Sequence, residues 1–187
     1  FAGTGPFGGW IAPGTNGQTI YCVVNNYTNG ASLNPTDNTF DIYVSSDGGK
    51  TWTLRIAGLG INWKFPASMN FFGSDTDPLC MYLMMIGTVA PNTGILIQYT
   101  LDGWLTKTDI SLPVAVANSY QSFAIKPGDN TRLFTRNSMT VLGGPHYSLD
   151  RGATWIQSAG IATPSDPFYK IRVSPGNPNL IYATVTA

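Results

Sequence analysis

The octet SSDGGKTW at 45–52 returns as SLDRGATW at 148–155. Ser45, Asp47, Gly49, Thr51 and Trp52 in the first copy meet Ser148, Asp150, Gly152, Thr154 and Trp155 at the same offsets in the second. A third copy, TLDGWLTK at 100–107, keeps Thr100, Asp102 and Thr106 and puts Trp104 where the others have glycine. The three aspartates stand 55 and 48 residues apart. A near-constant period of that size marks an array of supersecondary units, and its length suits one four-stranded propeller blade.

A second repeat alternates with the first. WIAPGTNGQTIYCVV (10–24), AIKPGDNTRLFTR (124–136) and RVSPGNPNLIYATV (172–185) share an apolar residue, a Pro-Gly turn and a further apolar run, and NFFGSDTDPLCMYLMM (70–85) is a looser copy without Pro-Gly. Each copy before the last precedes an octet by a comparable distance, so two turn types interleave along the chain. The spacing predicts, in the first unit, strand A near 9–12, strand B near 19–25, strand C near 39–45 and strand D near 51–57. The expected fold is all-β: a propeller of four-stranded antiparallel blades over 9–57, 69–112 and 121–158, with half of a fourth over 169–187. Helix signal is nearly absent, because Gly or Pro interrupts every stretch with apolar residues at helical spacing.

Composition agrees and excludes several functions. Among 187 residues, 21 glycines and 13 prolines supply turns, and glutamate, a strong helix former, is missing altogether. Ten basic residues balance ten aspartates with no basic run to follow phosphates or an anionic bilayer, so neither nucleic acid nor a membrane surface is an expected partner. Apolar runs such as LCMYLMMIG (79–87) are too short for a bilayer-crossing helix. The chain opens FAGTGPFGG, without methionine or a charged leader, which reads as a processed or trimmed start. Cys22 and Cys80 sit in apolar strand-like runs and read as small hydrophobes rather than as a disulfide scaffold or a zinc site. Asn26-Tyr27-Thr28 forms a glycosylation sequon, informative only in a secreted eukaryotic protein.

Ser/Thr-x-Asp-x-Gly-x-Thr-Trp at blade spacing resembles the Asp-box, or bacterial neuraminidase repeat. The resemblance runs the length of the chain. It implies a β-propeller of the kind found in sialidases, xyloglucan hydrolases, sortilin-type receptors and photosystem assembly factors, whose functions differ.

Physical reasoning gives the octet a structural role. Asp47 can accept backbone N–H groups of its own turn, Gly48 and Gly49 can take positive φ, and Trp52 can cover the apolar underside of the hairpin. A catalytic group is not copied once per blade, so Asp47, Asp102 and Asp150 read as holding the fold. Within a blade the AB and CD turns share one face, which leaves the BC and DA loops for binding. Segments 26–38, 58–68, 113–121 and 160–170 fall there and supply the candidate ligand-binding residues Tyr27, Trp63, Lys64, Tyr120, Asp166, Phe168 and Tyr169. Aromatic faces interspersed with amides suit sugar rings, and the competing reading is that these aromatics fill gaps between blades.

No catalytic residue is assigned. The sialidase mechanism implied by the resemblance needs an arginine triad and a tyrosine paired with glutamate, but the chain has no glutamate and only five arginines, with Arg151 inside an octet. A xyloglucanase-like mechanism needs two carboxylates across a cleft, roughly 5–9.5 Å apart. Asp37 and Asp166 belong to the loop face, and nothing in the sequence brings them together. His146, the single histidine, precedes an octet and reads as a strand-face residue. No cofactor motif and no metal-ligand spacing occurs.

The expectation is a non-catalytic propeller, extracellular, periplasmic or on a virion surface, binding glycans or a protein surface through its BC/DA loops. The alternatives are a fragment of a glycoside hydrolase and an assembly scaffold. Three and a half units leave exposed sheet faces, which implies completion by the rest of a longer propeller or by another copy.

Overall fold

Alternation of period two decides which side chains turn inward. In IYCVVNNY, Tyr21 and Val23 are fully buried while Ile20, Cys22 and Val24 are half-buried; in NTFDIYVS, Phe40, Ile42 and Val44 are buried while Asp41 and Tyr43 between them are half-buried. The structure, a computed structural model, describes residues 9–13, 17–27, 38–59, 63–64, 71–89, 92–110, 112, 123–136, 145–159, 168–174 and 176–185.

Three antiparallel meanders and a two-stranded hairpin follow one another. β1 (Gly9–Pro13), β2 (Ile20–Tyr27), β3 (Asn38–Ser45) and β4 (Thr53–Leu59) form the first sheet, in that order. The second contains β5 (Trp63–Lys64), β6 (Phe71–Gly73), β7 (Met81–Val89), β8 (Asn92–Thr100) and β9 (Thr108–Ile110). The third is β10 (Phe123–Lys126), β11 (Asp129–Arg136), β12 (Pro145–Ser148) and β13 (Ile156–Gln157), and β14 (Phe168–Ser174) pairs with β15 (Asn177–Val185). The fold is all-β, with the four-stranded antiparallel blades of a β-propeller.

The second blade departs from the spacing-based reading. Both β5 and β6 pair with β7: Trp63 lies opposite Gly87, and Phe71 lies opposite Leu83. Its first strand is thus broken into two pieces along one edge of the sheet, which the nine-residue β7 is long enough to accommodate. Residues 58–68 are therefore not wholly a loop, and β14 likewise starts at Phe168 inside the segment read as loop 160–170.

Two apolar clusters form between the blades. Tyr21, Val23, Phe40, Ile42 and Val44 of the first blade meet Phe71, Met81, Leu83 and Trp104 of the second. On the far side of the second blade, Cys80, Tyr82, Met84, Ile97 and Ile110 meet Phe123 and Leu133 of the third. Because side chains alternate along β7, Met81 and Leu83 serve the first interface and Tyr82 and Met84 the second. Edge-to-face and tilted aromatic pairs close both: Tyr21 with Phe71 at 6.3 Å, and Tyr82 with Phe123 at 5.6 Å. Cys22 and Cys80 are free thiols, and burial raises the pKa of each, Cys80 to about 11.

Candidate functional site

Each octet closes a hairpin through one shared set of hydrogen bonds. In the first, the Asp47 carboxylate accepts from the N–H groups of Lys50 and Thr51 at 3.0 and 2.9 Å, from the Thr51 hydroxyl at 2.7 Å and from the Ser45 hydroxyl at 2.7 Å. Ser45 Oγ accepts in turn from Gly49 N at 2.8 Å. Asp102 and Asp150 repeat the arrangement with Thr100 and Thr106, and with Ser148 and Thr154. These donors stabilise the ionised form. Hydrogen bonds from Thr51, first backbone then side chain, and from Ser45 lower the Asp47 pKa to about 2. The hydroxyl and N–H of Thr106 with Thr100, and those of Thr154 with Ser148, do the same for Asp102 and Asp150.

The octets also tie each CD turn to the AB turn beside it. Gly48, Gly103 and Arg151, the residues after the three aspartates, donate their N–H groups to the carbonyls of Gln18, Leu79 and Thr131 at 2.9, 3.0 and 2.9 Å. All three have positive φ, as do Gly49, Trp104 and Gly152 after them. Arg151 and Trp104 hold this left-handed conformation although a side chain disfavours it.

Trp104 explains the degraded octet. In the intact copies a Cβ placed on Gly49 or Gly152 would lie 3.8 or 3.3 Å from Cζ2 of Trp52 or Trp155, so the indole at the last position lies over the glycine at the fifth. The second octet has Lys107 last and carries its indole at the fifth position, where Trp104 is fully buried against Phe71. The relocated indole still fills the interface toward the preceding blade, as Trp155 does in the third. The exchange costs a hydrogen bond: Trp52 Nε1 donates to Gly49 O at 3.1 Å, whereas Trp104 Nε1 is buried without a partner.

A tyrosine clamp between blades had no sequence signal of its own. The Tyr21 hydroxyl donates to Pro78 O at 2.8 Å, and the Tyr82 hydroxyl donates to Asn130 O at 2.7 Å. Tyr21 reaches the AB turn of the next blade and Tyr82 the start of β11 just after that turn, and each acceptor lies four residues before the next blade's equivalent position, Tyr82 and Phe134. Burial raises the Tyr21 pKa to about 12 and pushes Tyr82 higher still. A tyrosine in an apolar strand looks like any core aromatic, and only its recurrence beside the AB turns distinguishes it.

At the opposite end of the sheets, Tyr27 is the last residue of β2, opposite Asn38; Trp63 and Lys64 form β5, beside Gly87 and Ile86; and Phe168 begins β14 opposite Val185, with Tyr169 next. The register puts all five toward the BC/DA ends of their sheets. Tyr120 and Asp166 lie outside the described residues, as do Asp37 and Thr28 of the sequon.

Carboxylate use is the most restrictive feature. Of the ten aspartates, Asp37 and Asp166 are outside the described residues, and every other one accepts a structural hydrogen bond. Beyond the octets, Asp41 accepts from Gly58 N, Asp75 from Gly128 N, Asp77 from Leu79 N, Asp109 from Gln98 Nε2, and Asp129 from Thr131 while pairing with Arg132. His146 is a buried residue of β12, opposite Gln157 and Thr135. No group of three His, Cys, Asp or Glu that could hold a metal occurs among the described residues, and no helix there is long and apolar enough to cross a membrane.

No family model and no curated protein sequence matches the chain. Similarity appears in solved structures. A GH74 enzyme from Niastella koreensis aligns with 89% of this chain at TM-score 0.61 and 15% identity, and a GH74 xyloglucanase from Xanthomonas campestris aligns with 90% at TM-score 0.59 and 17% identity. The chain spans about a quarter of either protein, 24% in both cases. At this identity the likeness concerns the fold, and it agrees with the stacked four-stranded sheets: the chain is similar to a segment of β-propeller.

Proposed function

We propose that the chain is an Asp-box propeller segment that binds glycans at the BC/DA end of its blades, β-glucans of the xyloglucan class foremost, and that it is not catalytic by itself. The observation that carries this reading is the commitment of every described carboxylate to a turn or a neighbouring strand. An acid whose pKa has fallen to about 2 is ionised at neutral pH and has no proton to give a leaving group. The aromatic positions Tyr27, Trp63, Phe168 and Tyr169 fall at strand ends away from the octets, and the proposal assigns them the stacking of a sugar's C–H face. Tyr120, Lys64 and Asp166 complete the proposed surface. Such a protein acts outside the cytoplasm, in the extracellular space, the periplasm or on a virion. Its end blades are completed by more propeller, either the rest of a longer chain or another copy.

A second reading, a portion of a glycoside hydrolase, is favoured by the likeness to the two GH74 enzymes. In that case a pair of acids would have to draw on Asp37, Asp166 or residues beyond this chain. A glycan array together with a reducing-end assay on xyloglucan separates the readings. The proposal expects binding without turnover; hydrolysis by this chain alone, abolished by Asp37→Asn or Asp166→Asn, would establish the second reading in its place.

A further inference from the structure

Two glycines stand directly opposite one another in the hairpin of the nine-residue strands β7 and β8, where Gly87 pairs with Gly94. Trp63 of β5 pairs with the same Gly87, so Trp63, Gly87 and Gly94 form one row across three neighbouring strands. A glycine pair weakens a hairpin because it brings no side chain to pack. Inside a strand, glycine marks a place that another backbone or a ligand approaches closely.

Register fixes the face to which this row belongs. Pairing of β7 with β8 runs unbroken from Met81 and Thr100 to Val89 and Asn92, so Gly87 shares a face with Met81 and Leu83, and Gly94 shares it with Leu96. Met81 and Leu83 are buried against the first blade, and Leu96 packs on the same cluster. β2 and β3 also pair without a break, which puts Tyr27 on the face of Tyr21 and Val23, and Asn38 on the face of Phe40 and Ile42. Those four residues are the first blade's half of that cluster. Tyr27 and Asn38 are register partners, so they form a second row, on the opposing blade and at the BC/DA end of the same interface, and β5 lies against β3. Lys64 pairs with Ile86, whose other partner Ile95 packs toward the third blade, so Lys64 belongs to the opposite face from Trp63.

Neither row carries a charge, and the next pairs inward, Asn25 with Phe40 and Met85 with Leu96, carry none. A tyrosine and a tryptophan on opposed faces bring two aromatic rings, the glycine pair adds no side chain between the blades, and asparagine amides suit hydroxyls. That combination fits an uncharged sugar and has no cation for a sugar carboxylate. We propose that the Tyr27–Asn38 row of the first blade and the Trp63–Gly87–Gly94 row of the second are the two walls of one subsite, which takes a single neutral pyranose ring of a β-glucan. The inference rests on the reading that the BC/DA end binds glycans, and it names the subsite and the class of sugar.

The test is titration calorimetry with a neutral xyloglucan oligosaccharide and with sialyllactose, beside urea unfolding, on the natural chain, Tyr27→Ala, Trp63→Ala and Gly94→Val. Valine suits a strand better than glycine, so Gly94→Val should leave the urea midpoint unchanged or higher while filling the row between the walls. The proposal expects the natural chain to bind the neutral oligosaccharide and not sialyllactose. Tyr27→Ala and Trp63→Ala should each weaken binding about tenfold or more, and Gly94→Val should abolish it. Weakening by Trp63→Ala alone, with Tyr27→Ala and Gly94→Val binding normally, leaves glycan binding at this end intact and overturns the two-walled subsite. A Gly94→Val variant that loses stability along with binding overturns it too, since the rows then only pack the blades together. Equal binding of sialyllactose overturns the neutral class, and a natural chain with no affinity for either sugar overturns the underlying reading and the subsite with it.

Discussion

The Tyr82 hydroxyl lies 2.7 Å from the carbonyl oxygen of Asn130, 48 residues later in the chain, and crosses from the second blade to the start of β11 in the third. The ring is fully buried, so its hydroxyl has no water to return to. Tyr82→Phe keeps the ring and deletes the donor, leaving the Asn130 carbonyl short of a partner. The expected loss is about 1–2 kcal/mol in urea unfolding. Unchanged stability would mean that the clamp contributes nothing.

Gly152 and Gly128 separate conformational strain from crowding. Both have positive φ, 86° and 77°, but a Cβ on Gly152 would stand 2.5 Å from Ile110 Cγ2, whereas nothing lies within 4 Å of one on Gly128. Gly128→Ala should cost about 1 kcal/mol, for the left-handed backbone alone. Gly152→Ala adds displacement of the second blade's last strand and should cost about 3 kcal/mol. Equal losses in denaturant unfolding would show that the blades do not approach so closely there.

The misplaced indole of the second octet can be tested by moving it. Trp104→Gly relieves a positive φ of 68° but empties a fully buried site, and should lose about 3–5 kcal/mol. Adding Lys107→Trp restores the order of the other octets, and should recover more than half of that loss while giving the indole N–H an acceptor like Gly49 O. A double variant no more stable than Trp104→Gly would show that the two positions do not reach the same space.

Low pH should act on the octets together. Asp47, Asp102 and Asp150 have folded-state pKa values of about 2 against an ordinary 3.8, lowered by their threonine and serine donors. Groups whose pKa is lower in the folded state contribute stability above the unfolded value and lose it as pH falls toward the folded one. Stability should therefore decline from about pH 4 toward pH 2, and Asp47→Asn should flatten part of that slope. Urea midpoints measured across this range check it; a flat profile would mean the carboxylates are not held as ions.

The fold was legible because the octets alternate with a second turn type, Pro-Gly in three of its four copies, at a near-constant distance, and a turn needs residues of particular backbone freedom whatever surrounds it. Other features carried no such local demand. Trp63 and Lys64 pair with β7: apolar Leu59, Ile61, Trp63 and Phe65 alternate with Gly60, Asn62 and Lys64, a strand signal that the flanking Gly58 and Pro66 obscure, and the partner strand is long enough to accept a second short piece. The Tyr82 clamp depends on a contact 48 residues away, and the Trp104 exchange on the space left by another blade. The candidate ligand surface was read from which loops share a face. Tyr27, Trp63, Lys64, Phe168 and Tyr169 lie at that end of the strands, while Tyr120 and Asp166 fall outside the described residues.

The central claim is a division of labour, with octets holding the blades and the opposite end binding sugar. Titration calorimetry with xyloglucan oligosaccharides, run beside thermal unfolding on the natural chain, Trp63→Ala and Asp47→Asn, tests it most directly. The account predicts that Trp63→Ala weakens binding about tenfold or more while Asp47→Asn lowers the melting temperature and leaves affinity unchanged. Loss of binding in Asp47→Asn at full stability, with Trp63→Ala binding normally, would contradict it.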